Sequence, residues 1–373
     1  MAAGTSSQAG EASRAQAVLS RGHFSVIRRI NKGMDRQRVM RIFLIAVYVA
    51  LALGNSTALA DEPELKIFRI GTGGVSGTYY PIGGLIGNAV SNPPGARSCE
   101  QGGSCGPPGL VVIAQSANGS VANVRDIHNG SLESGFVQSD VAYWAYTGTG
   151  TFAHDEPIRE LRVIANLYQE SIHIVTRADS GIRRIRDLAG KRVSLDENGS
   201  GTLVDALLVL REYGISTNDI EVEYMKPDLA IRRVREDKLD AFFIVAGYPA
   251  RAISELAEDT DLFLLPIDGP EADHLVERYG FFTRDHIPAN VYPHVARATT
   301  LSVGAQWLVA ESISDDLVYG ITRTLWHQNS RKLLDFGHIK GREIKLENAL
   351  SGVAVPLHPG AKRYYRETGM LED

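Results

Sequence analysis

The chain reads as an α/β protein, and three observations carry that reading. From Leu65 onward, short apolar runs alternate with helical patterns; the runs have strand length, and the patterns repeat apolar residues at i, i+3, i+4 and i+7. Each joint between a run and its pattern is written in Gly, Ser, Thr and Asn. Alternation of this kind predicts a parallel or mixed sheet with ligands at the carboxyl ends of its strands.

The elements follow in order. "LKIFRIGTG" is a strand, and the helix after "GVSGT" carries Ile82, Leu85, Ile86 and Ala89 on one face. "LVVIAQS" is a second strand, followed by "ANGS" and a helix with Val121, Val124, Ile127 and His128 together. The plan then recurs three times: "GFVQ" leads through Ser139-Asp140 into "VAYWAY", "KRVSL" through "DENGSGT" into a helix with Leu203, Ala206, Leu207 and Leu210, and "DAFFIV" through "AGYPA" into "RAISELA". Five joints mean five helix N-termini, each with unpaired N–H groups and a partial positive charge. If they converge, they form an anion site without lysine or arginine, to which Ser76, Thr78, Ser120, Ser139, Ser200 and Thr202 add hydroxyls. Any one of these hydroxyls taken singly is as well explained as an N-cap.

The ends of the chain add context. Six basic residues between Arg28 and Arg41 precede an apolar run from Ile42 to Leu53 and the small-residue ending Ala58-Leu59-Ala60. That is the pattern of a secretory signal peptide cleaved after Ala60, with a core too short to span a bilayer. Removing residues 1–60 leaves 313 residues with 31 basic and 42 acidic side chains, a formal charge of −11. Nucleic acid is therefore not an expected partner. Cys99 and Cys105 lie in the Pro/Gly-rich stretch "NPPGARSCEQGGSCGPPG", where an exported chain is expected to close a disulfide.

Other chemistries find little support. "GTGGVSGTYYPIGG" lacks the G-x-G-x-x-G spacing, and no carboxylate appears about 20 positions on to hold a ribose, so no nucleotide cofactor is expected. The ten histidines are scattered without ligand spacing, so no metal is expected. Ser76 lacks the full G-x-S-x-G elbow and no catalytic residue is assigned. Asp196-Glu197, in the fourth joint, reads equally as helix-start acids or as acid/base groups.

Five segments, "IGTGGVSGTYYPIGG", "GSVANVRDIHNG", "FVQSDVAYWAY", "DLAGKRVSLDENGSGT" and "VPLHPGAKRYYRETG", together resemble the TAXI-type solute-binding proteins of tripartite ATP-independent periplasmic (TRAP) transporters, over residues 65–371 and in the same order. The resemblance implies a two-lobed class II periplasmic-binding-protein fold, each lobe a mixed sheet flanked by helices, with the ligand cleft between lobes. Lobe I would comprise residues 61–170 plus 306–373 and lobe II residues 171–305, with crossings near Ser171–Thr176 and within 299–311. It also implies a small carboxylate ligand, glutamate-like or a dicarboxylate, held by Gly74, Ser76, Gly77, Thr78, Tyr79, Asn118, Gly119, Ser120, Gln138, Asp140, Gly199, Ser200, Gly201, Thr202 and Tyr248. Backbone N–H groups would hold the carboxylate, Tyr79 or Tyr248 would wall the cleft, and Asp140 would accept an amino group or serve only as a helix-start acid. A monomeric periplasmic receptor handing its solute to TRAP permease subunits is the expectation. A periplasmic sensor of the same fold, or a periplasmic enzyme, is the alternative.

Overall fold

The computed structural model describes residues 40, 41, 44, 45 and 64–372. The expected cleavage site after Ala60 lies outside the described residues. Among these, no helix is long and apolar enough to cross a membrane.

Ten strands form one mixed sheet: β1 (Lys66–Gly71), β2 (Leu110–Gln115), β3 (Ser134–Gln138), β4 (Leu161–Arg177), β5 (Arg192–Ser194), β6 (Glu221–Glu223), β7 (Ala241–Ala246), β8 (Leu262–Leu264), β9 (Thr283–Ile287) and β10 (Ala298–Ala310). Their order is β2-β1-β3-β10-β4-β7-β5-β6, with β8 added to β4 and β9 to β10. Each end of the sheet repeats one scheme. β2-β1-β3 are parallel and lie beside antiparallel β10; β6-β5-β7 are parallel and lie beside antiparallel β4. β3 and β7 are buried along their whole length, as strands covered by helices on both faces must be.

The two long strands are the spine. β4 pairs with β10 from Leu161 to Ser171 and then exchanges it for β7 from Ser171 to Thr176. β10 pairs with β9 up to Ser302 and with β3 from Ala305 onward. The first expected crossing segment thus lies inside β4, which begins at Leu161, ten residues before the run singled out in the sequence, and the second coincides with β10 except for Glu311.

The helices pack on both faces: α1 (Tyr79–Val90), α2 (Ser120–His128), α3 (Ser139–Thr147), α4 (Gly201–Glu212), α5 (Pro227–Arg235), α6 (Arg251–Ala257), α7 (Gly269–Arg278), α8 (Asp315–Leu325), α9 (Gln328–Gly337) and α10 (Pro359–Glu367). One core gathers Phe68, Ile82, Phe136 and Trp307 at the β2-β1-β3 end. Another gathers Phe242, Ile253 and Tyr292 at the β7 end. A third runs along both, from Val124 and Val141 to Leu188 and Val209. Five of the expected joints appear as strand-to-helix turns, and a sixth, β6 into α5 at Pro227, was not read from the sequence. "VPLHPG" is a turn in which buried His358 caps α10 by accepting the Gly360 N–H, a structural role.

Cys99 and Cys105 form the disulfide. Their loop is docked on the start of α9, where the Asn329 amide donates to the carbonyls of Cys99 and Gly103. On the chain-entropy account, a loop this short contributes about 2 kcal/mol. Replacing both cysteines by serine is expected to lower the unfolding free energy by about that amount in a denaturant titration, with the denaturant slope little changed.

Candidate functional site

The carboxyl ends of β1, β2, β3, β5, β6 and β7 converge on one cleft of about 60 Å³. A single water needs about 10–15 Å³ of such space, so the cleft has room for a solute of a few heavy atoms. Its wall is built mostly from the joints between strands and helices. α1, α2 and α3 start there on Thr78, Gly119 and Gln138, none of which makes a side-chain cap. Three helix N-termini are thereby left with first-turn N–H groups that no cap side chain satisfies, which is the arrangement that binds anions.

Twelve of the fifteen residues expected at the site line this cleft: Gly74, Ser76, Gly77, Thr78, Tyr79, Asn118, Gly119, Ser120, Gln138, Ser200, Gly201 and Thr202. Their hydroxyls are not equivalent. Thr78 donates to the Gly247 carbonyl at 2.6 Å and Ser200 caps α4 by accepting the Leu203 N–H, so both are engaged within the protein. Ser120 accepts the Gln138 N–H, Thr202 accepts the Val245 N–H, and Ser139 accepts the Gly304 N–H. Ser76 is buried with no partner for its hydroxyl, and so is Tyr79. Tyr80, its neighbour in the first turn, is more exposed and lies outside the lining.

Three expected residues stand elsewhere. Gly199 backs onto a groove on the far side of α4. Tyr248 lies outside the lining, its ring under the Lys340 ammonium at 4.0 Å. Asp140 is fully buried behind the lining beside Asp205, so it is in no position to take a ligand amino group directly. Burial raises both of these carboxyls; the nearness of Asp140 raises Asp205 further, whereas the hydrogen bond from Asp205 pulls Asp140 down. Asn123, which packs α2 onto the strands, donates to the carbonyls of Thr72 and Phe136.

Other lining residues were not expected at the site. Glu170 is buried in the middle of β4, one Oε2 has no partner, and burial pushes its carboxyl up to about 8. The Tyr79 hydroxyl stands beside it, and the Lys340 charge partly offsets the rise. Asp196, buried after β5, is pushed up to about 7 by the same loss of water. Its backbone is left-handed at φ 73°, a strain that an aspartate tolerates and that tends to collect at binding sites. Glu197 is drawn to Lys226 at 3.4 Å. The signal for Glu170 was a carboxylate inside the apolar run of β4; the signal for Asp196 was its place in a glycine-rich joint.

The walls meet through direct bonds. The Ala252 N–H donates to the Ser76 carbonyl at 3.1 Å, the Ala122 N–H to Gly199 at 2.9 Å, and the Gln138 amide to Asp205 at 3.1 Å. Close approach depends on Gly201, where a Cβ would fall 1.4 Å from Gln138 Oε1.

The NMT1-like family matches residues 70–369. Among solved structures, the alkanesulfonate-binding protein SsuA from Xanthomonas axonopodis pv. citri bound to MOPS is 16% identical, with 81% of this chain and 84% of that chain covered and a TM-score of 0.44. The periplasmic aliphatic sulphonate binding protein SsuA from Escherichia coli is 13% identical, covering 80% and 78%, with a TM-score of 0.41. PhnD1 from Prochlorococcus marinus (MIT 9301) in complex with methylphosphonate is 10% identical, covering 82% and 99%, with a TM-score of 0.47. Identities this low say nothing about the ligand.

The buried acids make stability depend on pH. Glu170 and Asp196 keep protons in the folded chain that the unfolded chain has released, so their contribution is complete below the ordinary carboxylate range and drains away as pH rises through about 7 to 8. His173 works in the opposite direction: buried between the Ser171 carbonyl and the Tyr292 hydroxyl, it is pushed down to about 4 and costs stability only as pH falls below its ordinary value. Between pH 6 and 9 the ligand-free protein is expected to lose roughly 2 kcal/mol through Glu170 alone, seen as a falling melting temperature. Glu170→Gln is expected to remove that share of the slope and to leave the shares of Asp196, Asp140 and Asp205.

Proposed function

The chain belongs to the NMT1-like family, and on that premise we propose that it is an extracytoplasmic receptor that binds a small carboxylate solute and presents it to a membrane transporter. One observation carries the reading: a small cleft holds the buried and unpartnered Ser76 hydroxyl, Tyr79 hydroxyl and Glu170 Oε2, together with three helix N-termini without side-chain caps. Buried polar groups left unpaired are costly, and a ligand that pairs them recovers that cost on binding. First-turn N–H groups without cap side chains suit a carboxylate. The two hydroxyls supply further bonds, and lobes hinged at the β4 and β10 changeovers would close on it.

Delivery to an ion-gradient-driven permease of the TRAP type is supported by the five segments that resemble TAXI-type proteins. Export to the periplasm is supported by the N-terminal pattern and by the disulfide, which belongs to oxidising compartments.

A thermal-shift screen of carboxylates, amino acids, sulfonates, phosphonates and sugars tests this reading. A true ligand at 100 times its dissociation constant stabilises the protein by about 2.7 kcal/mol, a shift of a few degrees. Ser76→Ala and Tyr79→Phe are each expected to weaken such a ligand about tenfold while leaving the ligand-free melting temperature unchanged or slightly higher, because each removes a buried group that has no partner until the ligand arrives. A loss of apo stability without loss of affinity would assign these hydroxyls to packing.

A further inference from the structure

The cleft is acidic, and the excess is not balanced within the protein. Glu170, Asp196 and Glu197 line it, Asp140 and Asp205 lie buried behind it, and among the described residues its lining holds no lysine, arginine or histidine. The nearby cations are already engaged. Lys226 serves Glu197. Lys340 is tied to Glu343 at 2.9 Å and to the Tyr248 ring.

The groups that face Glu170 come from five elements: Tyr79 from α1, Tyr168 from β4 itself, Lys340 from the turn after α9, Asp140 from α3 and Asp205 from α4. None of them gives it a bond of good geometry, and Oε2 stays unpaired. Both oxygens of Asp140 and Oδ1 of Asp205 are likewise unpaired; only Asp205 Oδ2 receives a bond, from Gln138 at 3.1 Å. Three buried carboxyls that share so few donors cannot all be ionised at neutral pH. The cleft therefore stores protons, consistent with the raised Glu170 carboxyl.

We propose that the solute carries a protonated amine that seats against Glu170, and that its arrival expels a proton from the Glu170–Asp140–Asp205 group to solvent. The exchange balances: the Glu170 O–H bond breaks, its proton leaves to water, and the carboxylate pairs with the incoming ammonium, which keeps its own protons. This rests on the proposed carboxylate receptor and narrows it to zwitterions, with the ammonium end at Glu170 and the carboxylate end at the starts of α1 and α2. A solute with a carboxylate in place of the ammonium would offer the Glu170–Asp140–Asp205 group no counter-charge and so no cause to release a proton.

Calorimetry decides the matter. The protein is titrated with amino acids, each paired with its 2-oxo and des-amino acid, in phosphate and in Tris at pH 7, so that the difference in buffer heat counts protons. The expected result is an amino acid that binds at least tenfold more tightly than its amine-free partners and releases close to one proton per ligand. Glu170→Gln is expected to abolish the release. Amine-free acids that bind equally well, or binding that takes up a proton, would overturn the inference and leave the carboxylate receptor standing. Binding by neither series would overturn the receptor reading itself.

Discussion

The pairing of β4 with β10 is the constraint on which the rest depends. The ladder runs from Leu161–Ala310 to Ser171–Ser302 and is interrupted by irregularities at Ala305/Gln306 and Trp307/Leu308 that sharpen its twist. Parallel triplets flank it on both sides, β2-β1-β3 against β10 and β6-β5-β7 against β4. Their carboxyl ends therefore face one another across the point where β4 changes partner. Every strand-to-helix turn that lines the cleft is delivered there by this geometry. Glu170, one residue before the changeover at Ser171, is placed among them by the same register.

The cleft consequently combines two features that would be liabilities in a protein built only to be stable. Helix starts without caps forgo stabilisation of about 1 kcal/mol each. Buried carboxyls lacking donors must stay protonated or remain strained by desolvation. Cross-cleft bonds such as Thr78 to Gly247 and Gln138 to Asp205 offset part of this, each by a net amount of only about 1 kcal/mol. The buried histidines are absorbed elsewhere: His173 between Ser171 and Tyr292, and His358 as a helix cap.

Much of the architecture was legible in the residues. Strand and helix periods gave β1, β2, β3, β5 and β7 with the helices that follow them, because each strand is short, apolar and ended by glycine, serine or asparagine. β6, β8 and β9 were not legible: Glu221–Glu223 is three residues with two acids, and Thr283–Ile287 is polar and partly exposed, so neither carries an apolar signature. Long β4 was recognised only in its second part, since "LRVIANLY" gives no sign of where its partner lies.

The sequence by itself determined the α/β class and the joints that line the cleft, because turn chemistry and hydrophobic period are local properties of the chain, and the family resemblance supplied most of the lining residues. Tertiary structure alone decided which hydroxyls are free. Ser76 and Thr78 look alike in sequence, yet Gly247, 169 positions on, occupies the second and nothing occupies the first. It likewise withdrew Asp140 from the cleft and put Glu170 into it, since the burial and charge of a carboxyl depend on what distant strands bring beside it.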